Sequence, residues 1–98
     1  MQGTTTKVVT GSGDVYITVN LREGEPFEVF AVLGRAGSEE RALTEAIGRV
    51  ISTALQGGIP AKKLARQLRG ISSENVIGLG PNKVLSVPDA VGQVLQTY

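Results

Sequence analysis

The 98 residues are 41% hydrophobic and 19% charged, with a net charge of +1. That is enough for one domain with one modest core, and it exerts no overall pull toward nucleic acid or anionic lipid. The chain has no cysteine and no histidine, which removes disulfides, thiolate nucleophiles, sulfur metal ligands, imidazole bases and any Ser-His-Asp triad. No apolar run approaches the ~20 residues of a membrane span, and "MQGTTTKVV" has no signal-peptide core, so a cytoplasmic protein is expected.

The first third reads as strands. "TKVVT" (Thr6 to Thr10) is β-branched, and "GSGD" (Gly11 to Asp14) supplies a turn. "VYITVNL" places Val15, Ile17, Val19 and Leu21 on one face and Tyr16, Thr18 and Asn20 on the other, the period of a half-buried antiparallel strand. "REGEP" (Arg22 to Pro26) turns the chain into "FEVFAVLG", whose two faces are both largely apolar. A three-stranded meander follows, with the third strand expected to be the best covered. Such a sheet has two edges, so self-association into a homo-oligomer is expected.

The period then changes. Ser38 stands as an N-cap before Glu39 and Glu40, and the apolar positions Leu43, Ala46, Ile47, Val50, Ile51, Ala54 and Leu55 follow helical spacing. Arg41, Glu45 and Arg49 are four apart on the other side. Gly57-Gly58 stops this helix, and Pro60 suits the first turn of a second one ending at Gly70, with Leu64, Ala65 and Leu68 on its core side. Ile71 to Lys83 reads as a loop, and "KVL" offers a further short strand. In "SVPDAVGQVLQTY", Ser86 and Asp89 have capping-box spacing, and Val91, Val94, Leu95 and Tyr98 form an apolar stripe. The expected architecture is one α+β domain over residues 1–98: a three-stranded antiparallel meander, two helices, a loop and a C-terminal helix, with the helices on one face of the sheet.

Few residues carry chemistry. Gly11-Ser12-Gly13 precedes a strand rather than a helix, so it reads as a hairpin turn and not a phosphate loop. "GLGPNK" (Gly78 to Lys83) lacks the Gly-Lys-Ser/Thr ending of a nucleotide loop. Glu23, Glu25 and Glu28 sit at a hairpin tip without the ordered loop that Ca²⁺ uses. Ser72 and Ser73 would need a lysine as base. Lys62, Lys63, Arg66 and Arg69 gather four of the ten basic residues within eight positions, either as a solvated face or as a docking stripe for phosphate or an acidic partner.

Four segments stand in one order: "PFEVFAVLGRAGS", "EAIGRVISTALQGGIP", "QLRGI" and "KVLSVPDAVGQVL". Together they resemble the TSCPD domain, the small C-terminal module of adenosylcobalamin-dependent (class II) ribonucleotide reductases that also occurs as a free-standing protein. In the family pattern, cysteines follow the glycines of the "GS" and "GI" segments. Here those places read Ser38-Glu39-Glu40 and Ile71-Ser72-Ser73. A hydroxyl does not replace a thiolate as a soft ligand or redox group, so no metal is expected at these positions.

The resemblance implies a non-catalytic accessory module, either cut from a class II reductase or acting beside its catalytic chain. That partner would hold the adenosylcobalamin, and this chain would bind no cofactor of its own. Arg49 and Ser52, in "GRVIS" on the polar side of the long helix, and the basic residues Lys62, Lys63, Arg66 and Arg69 are the candidate contact positions. The alternative is a small nucleic-acid-binding domain using the basic helix face.

Overall fold

A computed structural model of the chain describes residues 2–35, 37–80 and 83–98. Met1, Ala36 of "RAGS" and Pro81 and Asn82 of "GLGPNK" lie outside the described residues. The expected α+β architecture is present: strands β1 (Gln2–Thr10), β2 (Gly13–Arg22) and β3 (Glu25–Leu33), then helices α1 (Ser38–Gln56), α2 (Ala61–Leu68) and α3 (Val87–Leu95).

The sheet is antiparallel in the order β1-β2-β3, because both connections are two-residue turns. Thr10 fixes the first: its hydroxyl donates to the Gly13 carbonyl at 2.7 Å and accepts from the Ser12 N–H at 3.1 Å. Glu23 and Gly24 make the second with φ of 54° and 81°, the left-handed pair that suits the twist of a hairpin. β1 starts at Gln2 rather than Thr6, since the β-branched threonines pair on down to Gln2↔Leu21. The expectation for β3 is overturned. The central strand β2 is the best covered, with Val15, Ile17 and Val19 fully buried, whereas Phe30 and Val32 on the outer face of β3 are 51% and 58% exposed.

Packing also departs from a single helical layer. α3 lies against the inner sheet face, and its Val87, Ala90, Val91, Val94 and Leu95 join Val29, Ala31 and Leu33 in the core. α2 packs closely on α3, where a Cβ at Gly92 would come within 3.1 Å of the Ala65 carbonyl oxygen. Ser86 caps α3 as its spacing predicts, accepting from the Asp89 N–H at 3.1 Å. Ser38 does not cap α1; Gly37 holds that position and Ser38 is the first helical residue. Pro60 precedes α2 rather than lying within it, and its carbonyl accepts from the Lys63 and Leu64 N–H groups. "KVL" forms no strand: Val84 makes one antiparallel bridge with Ile77.

α1 takes a third place, along the free edge of β3. In an antiparallel ladder alternate residues turn their N–H and C=O outward. The Gly34 N–H bonds back to the Asp14 carbonyl, which leaves Phe27, Val29, Ala31 and Leu33 facing the edge. The Ser52 hydroxyl accepts from the Val29 N–H at 2.9 Å and donates to the Val29 carbonyl at 3.1 Å. Gln56 Nε2 donates to the Phe27 carbonyl at 3.3 Å. The edge is thus closed by a helix, one of the devices that stop strands from pairing with strangers.

Candidate functional site

The edge contact decides which side of α1 faces inward. Gly48 brings the helix so close that a Cβ there would lie 3.0 Å from the Val29 oxygen and 3.3 Å from the Ala31 nitrogen. The buried positions are therefore Thr44, Gly48, Ile51 and Leu55, not the whole apolar stripe read from the spacing. Bonding both polar groups of Val29 and the Phe27 carbonyl, with the close approach at Gly48, outweighs burying every aliphatic side chain. Leu43 and Val50 are left 56% and 69% exposed.

The displaced half of the stripe forms one wall of an open groove of about 650 Å³. Leu43, Ile47 and Val50 of α1 face Leu64 and Leu68 of α2, with Val87 and Pro88 at the floor and Glu40, Gln67 and Ser73 at the rim. The lining is almost wholly aliphatic. Its size is that of a ligand pocket, and its apolar lining would equally receive a row of apolar side chains.

The polar chemistry lies beneath, where α2 meets α3. Asp89 is fully buried and accepts from Arg69 Nε at 2.9 Å, the Gly70 N–H at 3.0 Å and the Leu85 N–H at 3.1 Å. Burial alone would raise its pKa. The Gly70 and Leu85 N–H groups and then the Arg69 guanidinium outweigh burial and hold the carboxyl below its ordinary value. Arg69 therefore belongs to this junction, while Lys62, Lys63 and Arg66 of the expected basic stripe remain exposed on α2.

The other candidate positions separate. Arg49 is 80% exposed and pairs with Glu45 at 2.8 Å, beside the outer-face residues Phe30 and Val32. Ser52, one helical turn on, faces the β3 edge. Ser52→Ala is expected to cost about 1–2 kcal/mol, since it strips partners from a backbone N–H and C=O. Arg49→Ala should fall within about 0.5 kcal/mol of wild type, the usual worth of an exposed pair. Urea unfolding of the two variants checks the contrast; equal losses would contradict it.

Ser38 and Ser73, in the two stretches that the resemblance marks as cysteine positions, line different recesses. Ser38 borders a shallow recess with Val32 and Arg41, while Ser73 lies at the groove rim. Glu39 and Ser72 are exposed. Ser73 donates to the Leu85 carbonyl at 3.0 Å and Ser72 to the Ser73 carbonyl at 3.2 Å. The segment from Ile71 to Ile77 is exposed, so neither hydroxyl sits in the enclosed polar site that a Ser–Lys nucleophile needs. Among the described residues no three Asp or Glu converge as a metal site, and no helix is long and apolar enough to cross a membrane. Glu23, Glu25 and Glu28 spread over the β2–β3 hairpin, where Glu28 accepts from Asn20 Nδ2 at 3.3 Å.

Sequence reasoning missed the groove because it assigned Leu43 and Val50 to the core. The signal was present in Gly48 and Ser52, small residues four apart on the opposite side of the helix.

Comparison with known proteins agrees with the segment order. No curated protein and no solved structure matches the chain. The family model of the TSCPD domain matches residues 1–98. This is a small domain, not a catalytic one, associated with ribonucleotide reductase-type proteins. The chain belongs to the TSCPD-domain family.

Proposed function

We propose that this TSCPD domain is an accessory contact module that docks on the catalytic chain of a class II ribonucleotide reductase through the groove between α1 and α2. The observation that carries this reading is the exposure of Leu43 and Val50 in one aliphatic groove. The local fold gives up their burial to close the β3 edge. Contiguous exposed apolar surface rimmed by polar groups is the mark of a protein contact. The family's association with reductase-type proteins supplies the partner class.

The module contributes contact rather than chemistry. In this reading adenosylcobalamin belongs to the catalytic chain. Arg49, beside Phe30 and Val32 on the outer flank of α1, is a secondary contact position in this reading.

Two variants test it. Leu43→Glu and Val50→Glu each place a carboxylate in the groove from an exposed position, so stability should stay within about 0.5 kcal/mol of wild type. Isothermal titration against the purified catalytic chain should show binding by wild type and at least a tenfold loss in each variant. Undiminished binding by both variants, or none by wild type, would reject the groove. Oligonucleotide binding with a log–log salt slope of about −2 to −3, the range for three phosphate contacts, would instead assign the function to Lys62, Lys63 and Arg66.

A further inference from the structure

The two edges of the sheet are treated differently. The edge of β3 is closed by Ser52 and Gln56 of α1. Among the described residues, β1 has a backbone partner only in β2. It runs nine residues, about 30 Å of strand. Its pairing with β2 is continuous, the one register shift in the sheet falling at Asn20/Leu21 between β2 and β3. It has no proline and a single charge, Lys7. The devices that usually blunt an edge are thus nearly absent from it.

We infer that two copies of this chain pair through β1, antiparallel about a twofold axis at Thr6, joining two three-stranded sheets into one of six strands. The ladder fixes the register. Thr10 and Gly13 close a two-residue hairpin, so Thr10, Val8, Thr6, Thr4 and Gln2 spend their N–H and C=O groups on β2. Gly3, Thr5, Lys7 and Val9 turn theirs outward. With Thr6 opposite Thr6 of the second copy, Gly3 meets Val9 and Thr5 meets Lys7, twice each by symmetry. These are four hydrogen-bonded pairs with about eight bonds.

Neighbouring registers are worse. A slip of one residue sets outward groups against inward ones and exchanges the faces. A slip of two residues toward the turn brings Lys7 opposite Lys7, a like-charge pair directly across the ladder. The opposite slip shortens the overlap at the Thr10 end. In the favoured register each Lys7 faces a threonine and keeps its own Asp14, 3.9 Å away in the same chain. The exposed Thr4 comes to face Val8 on the inner side. The arrangement leaves the α1–α2 groove free and does not depend on the reductase reading.

The absence of cysteine makes the register testable. Thr6 would be a non-hydrogen-bonded pair across the axis, with Cα atoms about 4.5 Å apart, inside the range a disulfide spans. Sedimentation equilibrium of the full chain should give twice the 10.3 kDa chain mass. Thr5→Pro removes an outward N–H that the monomer does not use, so it should give a folded monomer. On mild oxidation Thr6→Cys should form a covalent dimer at least tenfold faster than Thr4→Cys. A wild-type monomer at all concentrations would overturn the inference, as would a dimer that survives in folded Thr5→Pro. So would a dimer abolished by Leu43→Glu, which would place the contact in the groove. Should Thr5→Pro fail to fold, the cysteine pair decides alone: equal cross-linking of the two variants rejects the register.

Discussion

Asp89→Ala is expected to lower folding free energy by about 2–4 kcal/mol, because it strips the shared acceptor from two backbone N–H groups and a partly exposed guanidinium. The carboxylate ties the end of α2, through Arg69 and Gly70, to Leu85 just ahead of α3. Its position in the first turn of α3 adds the favourable helix dipole. Alanine would leave a guanidinium and two N–H groups without their acceptor. Asp89→Asn keeps the volume and one acceptor, so its loss should be smaller.

The same residue sets a pH dependence. Its folded pKa lies below the unfolded value, so its contribution is fully present above the unfolded carboxylate pKa and is lost as pH falls through the folded one. The stability gap between wild type and Asp89→Asn, measured by urea unfolding, should therefore be constant near neutrality and shrink below about pH 4. A gap that widens in acid would contradict this account of the junction.

The second large effect is expected at Gly48. Alanine there would gain about 1 kcal/mol of helix propensity over glycine. Against that stands a Cβ 3.0 Å from the Val29 oxygen and 3.3 Å from the Ala31 nitrogen, backbone atoms that cannot swing aside. Overpacking of this kind costs about 1–3 kcal/mol, so Gly48→Ala should be neutral to moderately destabilising. Gly48→Val adds two methyls and a stiff χ1, and should lose about 3 kcal/mol by lifting α1 and breaking the Ser52 bonds. Thermal unfolding together with amide exchange at Val29 checks both consequences. A valine variant as stable as wild type would mean that α1 does not need to lie this close.

What could be read in the sequence follows from which interactions are local. The alternation in Val15–Leu21 and the glycines of both turns are local, and they gave β2 and its neighbours. The Ser86–Asp89 spacing gave the cap of α3, although the role of Asp89 toward Arg69 and Gly70 depends on a contact across the fold. The rotation of α1 was not legible from its apolar stripe, because it is set by the unpaired backbone of β3, which no side-chain pattern reports. Arg69 looked like a member of a basic face for the same reason: its partner is twenty residues away. The family was legible because its segments recur in order, and the TSCPD match now covers the whole chain. The aliphatic groove became visible only once Leu43 and Val50 were seen outside the core.

Hydrogen–deuterium exchange of the domain, alone and mixed with a class II reductase catalytic chain, tests the docking claim most directly. Docking in the groove should slow exchange in α1 around Leu43 to Val50 and in α2 around Leu64 to Leu68, with the β2–β3 hairpin unchanged. Unchanged exchange in both helices at saturating catalytic chain would contradict the groove as the contact surface.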